Sequence, residues 1–271
     1  MKNLRDRIGP FLLRRLKSEV ARDLPPKTVQ TVFSELSDAQ RAVYAKFFRS
    51  ARTQVADAIG TAGFDKSRML VLTALLRLRQ VCCDLRLLGD ANPLPDSAAP
   101  SGKTEQLLEI LEQARDGGHR TLVFSQFVEM LKLLRAELDA RGVPYCYIDG
   151  SSTDRLETVH RFNTDPSIPV FLISLKAGGT GLNLVGADEV VLFDPWWNPS
   201  IEDQAIDRAH RIGQKRTVHA FKLITPGTVE EKVLAMQRRK RSIIAATVGG
   251  ATDPVGASLT ADDVRQLFEL D

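Results

Sequence analysis

The stretch DQAIDRAHRIGQKR, residues 203–216, places Arg208 and Arg211 three positions apart, with Gln204 one helical turn before the first. At about 100° per residue, Gln204, Arg208 and Arg211 would share a narrow arc of one helix, while Ile201, Ala205, Ile206, Ala209 and Ile212 spread over the other side. Such a helix is expected to pack by its apolar side and to present two guanidinium groups on the other. A guanidinium is planar and always charged, and it grips carboxylate or phosphate through paired N–H bonds. Two of them side by side suit a polyanion such as a nucleoside triphosphate. The plainer alternative is a solvated face, with Asp207 as a surface partner.

Two other stretches imitate parts of a nucleotide site. Ser101-Gly102-Lys103-Thr104 ends like a phosphate-cradling loop, but the loop needs a glycine five positions before Gly102, and Ser97 stands there after a proline-rich approach. Asp188-Glu189 looks like a magnesium-holding acidic pair, but it precedes its apolar strand. The strand that follows does end in Asp194, yet Pro195 and Trp196 come next, not a second carboxylate. No complete nucleotide site is expected in this chain. Three cysteines, Cys82, Cys83 and Cys146, form no CxxC pattern, and with four scattered histidines they indicate buried thiols and no metal centre.

These residues need a scaffold. From about Leu107 onward, short apolar strands alternate with helices. They are RTLVF (120–124), an amphipathic helix over 127–142, YCYI (145–148), a helix over 154–163 capped by Thr153, and VFLIS (170–174). Then follow VVLFD (190–194), the arginine helix, VHAFKLI (218–224) and a helix begun by Thr228. This alternation is the signature of βαβ units around a parallel sheet, an α/β fold whose ligands sit at the carboxyl ends of the strands. Residues 1–100 show helical periodicity instead, preceded by an extended DLPPKTVQTVFSEL segment with Pro25 and Pro26. A Pro, Ser and Gly loop over 90–102 separates the two regions, and a short helix with Thr260 as N-cap closes the chain.

Composition sets outer limits. With 271 residues, 43% hydrophobic and 26% charged, the chain can bury one or two sizeable cores. Its apolar runs are strand-sized, far short of the ~20 residues that span a bilayer, and MKNLRDRIG lacks a signal-peptide core. No membrane partner is expected, and the expected location is intracellular: cytoplasm or nucleoid in a bacterium, nucleus in a eukaryote. A net charge of +3 permits nucleic-acid binding without arguing for it.

ISLKAGGTGLNL, then VVLFDPWWNPSIEDQAIDRAHRIGQKR and VEEKVLAMQRRK, closely resemble the second RecA-like lobe of the Swi/Snf-type DNA-dependent ATPases of helicase superfamily two. The resemblance runs upstream through RTLVFSQF, YIDGSS, SGKTEQLLEIL, LRQVCC and PFLLRRLKSEVARDLPPK, nearly the whole chain. It departs at Asp84-Leu85, where relatives often have His-Pro. It implies a RecA-like parallel sheet flanked by helices, with a helical insertion and C-terminal brace helices. Residues 1–36 would be the tail of the first lobe and a linker, 37–101 a helical protrusion, 102–228 the C-terminal lobe and 229–271 the brace.

The same resemblance assigns roles. Arg208 and Arg211 would be arginine fingers reaching ATP held on the first lobe, with Gln204, Gly181 and Asn183 at that ATP site. The DNA track would comprise Ser125, Gln126, Gly150, Ser151, Lys176, Gly178, Gly179 and Trp197. Glycines there let backbone N–H groups approach phosphate, and Lys176 adds charge. An ordinary strand-to-helix turn or a helix cap is the alternative for the glycines, for Ser125 and Gln126, and for Gly150 and Ser151. Trp196 would be the buried indole of the pair, Arg155 would order its own helix, and the run Arg238 to Arg241 is as well read as a solvated face. ATP and Mg2+ would be held mainly by the missing first lobe, with no cofactor bound by this chain alone. The partners implied are double-stranded DNA and that first lobe, in a monomeric protein. Rival readings are a non-catalytic DNA-binding module that kept the fold and a lobe of a strand-separating helicase.

Overall fold

The computed structural model describes residues 21, 23–89, 101–177, 181–247 and 260–270, with the backbone alone for 240–247. Six strands, β1 (Lys27–Phe33), β2 (Thr121–Ser125), β3 (Tyr145–Ile148), β4 (Val170–Ser174), β5 (Glu189–Leu192) and β6 (Val218–Ile224), form one sheet in the order β1-β6-β5-β2-β4-β3. Every pairing is parallel, as the alternation of strands and helices predicts. The architecture is an α/β RecA-like fold with a helical region beside the sheet.

Strand parity sorts the core. Leu122, Phe124, Phe171, Ile173, Val190 and Leu192 face one side, and meet Val159 and Phe162 of α5 (Arg155–Thr164) and Ala205 and Ile206 of α6 (Pro199–Ile206). Val123, Val170, Leu172, Val191 and Phe193 face the other. There they pack on Leu107 and Leu111 of α3 (Gly102–Asp116) and on Met130, Leu131 and Leu134 of α4 (Val128–Ala140). The extended segment containing Pro25 and Pro26 leads directly into β1, which supplies the edge strand beside β6. A stretch outside 102–228 therefore completes the sheet.

A third cluster lies among the long helices. Tyr44, Ala51 and Val55 of α1 (Asp38–Ala62) meet Val71, Leu75 and Leu78 of α2 (Phe64–Cys83). Val229, Val233 and Met236 of α7 (Val229–Thr247) and Val264, Leu267 and Phe268 of α8 (Ala261–Phe268) complete it. Local caps start these helices where the residue types allow. Ser37 and Gln40 form a reciprocal box at α1, and Thr260 with Asp263 does the same at α8. Thr153, by contrast, does not cap α5. Asp154 takes the N-cap position, and the Thr153 hydroxyl donates to the Asp154 carboxylate. The three cysteines are buried, and burial pushes the thiols of Cys82 and Cys83 up.

The GKT stretch has a structural use. Ser101 caps α3 by accepting from Thr104 N at 3.2 Å, and a Cβ on Gly102 would stand 2.0 Å from the Glu35 carbonyl, so only glycine lets α3 start this close to the end of β1. Lys103 is 1% exposed, pairs with Glu230 of α7 at 2.7 Å and donates to the Phe193 carbonyl at 3.1 Å. Burial alone would lower the Lys103 pKa, but the Glu230 carboxylate, together with the neighbouring Cys82 and Cys83, raises it above its ordinary value. Lys103→Met would strand a buried carboxylate and should destabilise the chain by about 3–5 kcal/mol in a denaturant melt. A phosphate-loop lysine, open to its ligand, would show little change in that melt.

Candidate functional site

The sheet order reverses around β2, which has β4 on one side and β5 on the other. Such a reversal leaves a crevice at the carboxyl ends of the strands. The residues that follow β2, β4 and β5 are Gln126, Lys176 and the segment Phe193 to Trp197. That segment is held by polar and charged side chains from four helices, one of them backed by a strand. Lys103 holds the Phe193 carbonyl, Arg79 of α2 pairs with Asp194 at 3.5 Å and donates to the Pro195 carbonyl, and Glu202 of α6 accepts from Trp196 N at 2.8 Å. Gln237 of α7 donates to the Trp196 carbonyl and to Glu202, whose other oxygen pairs with Lys222 of β6. Lys103, Arg79, Asp194, Glu202, Lys222 and Gln237 are all buried.

Arg208 and Arg211 lie beyond the helix that was expected to carry them. Helix α6 ends at Ile206, and the chain continues in tight turns, with Arg208 N bonded to the Ala205 carbonyl at 3.1 Å and Gln214 N to the Arg211 carbonyl at 2.9 Å. Gly213 adopts φ +106°, a conformation closed to a helix and unfavourable for L side chains. One helix face for 201–212 is thus corrected, and Ile212, expected on the packed side, is 73% exposed. The turn is held by Gln214, which is buried. Its Nε2 donates to the carbonyls of Ala187 (2.7 Å), Ala209 (3.2 Å) and Val185 (3.3 Å), and its Oε1 accepts from the backbone of Lys215 and Arg216.

That anchoring brings the two arginines to the glycine-containing loop. Leu184 N donates to the Arg208 carbonyl at 3.1 Å, and Arg211 Nη1 reaches the Gly181 carbonyl at 3.4 Å. The neighbouring Asp207 carboxylate pairs with Lys27 at 2.9 Å, at the start of β1. Partial burial lowers the pKa of Arg208, and the adjacent positive charge of Arg211 lowers it further. Two like charges held together favour an anion between them. Gly181, Arg208 and Arg211 are therefore adjacent. Asn183 has its side chain exposed and its carbonyl bonded to Asn163 Nδ2 at 2.8 Å, and Gln204 is exposed on α6.

The remaining candidates divide. Ser125 is fully buried, and its hydroxyl donates to Asp194 and accepts from Phe127 N at 3.1 Å, so in this conformation it caps a turn and meets no solvent. The cause is strand parity together with the buried carboxylate beside it, whose own pKa burial raises against the pull of Arg79 and Ser125. Gln126 follows, half-buried, its backbone N–H also on Asp194. Gly150, Ser151 and Lys176 are exposed at neighbouring strand ends. Asp149 accepts from Ser151 N at 2.8 Å and from its hydroxyl at 2.7 Å. Hydrogen bonds from Ser151 and Tyr147 hold this carboxyl well below the usual range. Arg155 does order its own surroundings, donating to the carbonyls of Asp149, Gly150 and Ser152. Gly178 and Gly179 lie outside the described residues. Trp196 packs on the sheet core and Trp197 on the helical core, both half-buried. Consecutive indoles do face opposite ways, but neither is the fully buried one.

Neither Asp194 nor Asp188 offers Mg2+ a free carboxylate. The oxygens of Asp194 are taken by Ser125, Gln126 and Arg79, and those of Asp188 by His119 at 2.7 Å, Arg120 N at 3.1 Å and Arg216 at 3.2 Å. Burial raises the Asp188 carboxyl, and these donors pull it below its ordinary value all the same. Among the described residues no group of three His, Cys, Asp or Glu side chains could hold a metal ion, and no helix is long and apolar enough to cross a membrane. Arg79, Gln214, Lys103 with Glu230, and Glu202 with Lys222 escaped the reading from sequence, because their partners lie far away along the chain. Only the RIGQ and LRQ stretches around Gln214 and Arg79 offered a local signal.

Comparison with known proteins agrees with this architecture. The "Helicase conserved C-terminal domain" family matches residues 102–213, and the "SNF2-related domain" family matches residues 1–87. An ATP-dependent helicase of Mycoplasma pneumoniae is 34% identical over 270 residues, 98% of this chain and 25% of that protein. The human SWI/SNF-related matrix-associated actin-dependent regulator of chromatin subfamily A member 1 is 36% identical over 273 residues, 96% of this chain and 26% of that protein. The chain thus spans about a quarter of the length of these relatives. Among solved structures, the Sulfolobus solfataricus SWI2/SNF2 ATPase core in complex with dsDNA is similar with a TM-score of 0.70 and 33% identity, over 100% of this chain and 56% of that one. Two family matches in series, relatives along almost the whole chain and a shared fold lead to one assignment: this chain belongs to the Swi/Snf-like ATPases of helicase superfamily two, as their helicase C-terminal lobe.

Proposed function

We propose that this chain is the second motor lobe of an ATP-driven double-stranded DNA translocase that remodels protein–DNA complexes without separating strands. The observation that carries the reading is the arginine turn: Arg208 and Arg211 stand together beside Gly181, held by Gln214. A solvated face would not need such anchoring. Phosphoryl transfer needs positioning and charge stabilisation more than covalent chemistry, and two preset guanidinium groups supply both to a triphosphate presented across a cleft. The other lobe would supply the phosphate cradle and the Mg2+ that neutralises phosphate charge. In the residue division proposed here, 1–36 are the tail of the first lobe and a linker, 37–101 form the protrusion, 102–228 the motor lobe and 229–271 the brace, with β1 passing from the linker into the sheet. Gln204 and Asn183, both exposed near the arginine turn, are assigned to the ATP site.

The DNA track is assigned to Gln126, Gly150, Ser151, Lys176, Gly178, Gly179 and Trp197, with Ser125 holding the loop from behind. A solved relative on double-stranded DNA supports the nucleic-acid part of this reading. Backbone amides, hydroxyls and a lysine address phosphates, so the isolated chain should bind duplexes weakly and without sequence preference. On a log–log plot of affinity against salt, each phosphate neutralised should contribute a slope of about −0.9. Labelled duplexes of different sequence titrated at two salt concentrations check this. Strong sequence discrimination with a flat salt response contradicts it.

Catalysis provides the sharper test. In a protein carrying both lobes, Arg208→Ala or Arg211→Ala should lower DNA-stimulated ATP turnover by about 10³-fold or more while DNA affinity changes little, because the fingers act on the transition state. Lysine should substitute poorly, because an ammonium lacks the bidentate fork. Turnover that survives either alanine would sink the arginine-finger role.

A further inference from the structure

Asn163, near the C-terminal end of α5, has no part in the ATP site or the DNA track as read above. Its side-chain amide leaves its own helix and spans a turn of the chain between β4 and β5. Nδ2 donates to the Asn183 carbonyl at 2.8 Å, and Oδ1 accepts from Gly186 N at 3.1 Å. Donor and acceptor are both used, which fixes the way the amide is turned. The fit leaves no room for a side chain at Gly186, where a Cβ would stand 2.9 Å from Asn163 Oδ1 and 3.1 Å from Asn163 Cα. The arginine turn binds the same loop. Between the two bonds of Asn163, Leu184 N donates to the Arg208 carbonyl at 3.1 Å, and two residues before Asn183 the Gly181 carbonyl accepts from Arg211 Nη1 at 3.4 Å.

We propose that Asn163 is a positioning residue for the two arginines, acting through the loop 181–186. This rests on the arginine-finger reading above. The two ends of the loop differ in what holds them. At the Gly186 end, Arg120 Nη1 also donates to the Gly186 carbonyl at 3.3 Å while its Nη2 donates to the Asp165 carbonyl at 3.1 Å, and Gln214 donates to the carbonyls of Val185 and Ala187. At the other end, among the described residues, only Asn163 donates to the Asn183 carbonyl. Losing that bond frees the part of the loop nearest Gly181, and with it the carbonyl that meets Arg211 and the amide that meets Arg208. Guanidinium groups stabilise a transition state only from the right place, so a small displacement lowers turnover without lowering ground-state affinity.

Asn163→Asp separates the two bonds, since a carboxylate still accepts from Gly186 N but cannot donate to the Asn183 carbonyl. In a protein carrying both lobes, Asn163→Ala and Asn163→Asp should each lower the kcat of DNA-stimulated ATP hydrolysis by about 10²-fold, the cost of a misplacement of about 1 Å. The KM for ATP and the affinity for a labelled duplex should stay within about twofold of the wild type, a split that a general disturbance of the lobe would not produce. A folded Asn163→Asp protein with wild-type kcat overturns the proposal, and so does a fall in kcat matched by an equal loss of duplex affinity. Low turnover of Arg208→Ala and Arg211→Ala beside either of those results leaves the arginine-finger reading standing, whereas normal turnover of the arginine variants removes that reading and the proposal together. If melting curves show that neither Asn163 variant folds, Asn163 is a structural residue and the proposal is overturned as well.

Discussion

Burying a charge is costly unless the charge is met, and this lobe places a set of met charges around five consecutive residues, Phe193 to Trp197. Lys103, Arg79, Glu202 and Gln237 come from four different helices, and Lys222 comes from a strand. The four helical side chains hold the same short segment, and Lys222 holds Glu202 in place. If one of these elements slid alone, it would leave an unpaired charge in the interior, so sheet and helical region are constrained to move as a unit. Under the proposed motor reading, that coupling would carry force from the strand ends to the rest of the lobe.

The arginine turn obeys the opposite rule. There two like charges stand together, Arg211 beside Arg208, and the Asp207 carboxylate that acts on Arg208 is shared with Lys27. Keeping like charges together is unfavourable, and the bonds of Gln214 to three carbonyls offset part of that cost. Preset charge of this kind stabilises a transition state better than charge that must first reorganise. Well-matched charges at the end of β5 and the paired guanidinium groups after α6 are thus two arrangements of one interaction, the second of them assigned here to the proposed chemistry.

Much of this could be read along the sequence because it is local. YCYI, VFLIS and VHAFKLI are strands over the residues that the pattern marks, Thr260 is a cap, and the missing glycine at Ser97 is enough to reject a phosphate loop at Lys103. What stayed hidden is tertiary. The apolar period of three to four continues through Ile212, and the local signal, Gly213 and Gln214, comes only after it, so the stop at Ile206 is not announced where it occurs. What ends it is Gln214 reaching back to Val185 and Ala187, across a strand. Ser125 reads as a phosphate contact or a cap because it ends a strand, yet the carboxylate that turns it inward is Asp194, just past the neighbouring strand. Lys103 and Glu230 are 127 residues apart, and no window along the chain reveals such a pair.

The central claim is that this lobe contributes half of an ATPase site. The most direct measurement is complementation: DNA-stimulated ATP hydrolysis by this chain, by a separately produced first lobe of the same protein, and by the two mixed. Activity should appear only in the mixture and should disappear when the chain carries Arg208→Ala. Hydrolysis by this chain alone, or an Arg208→Ala chain that complements as well as the wild type, would contradict the account.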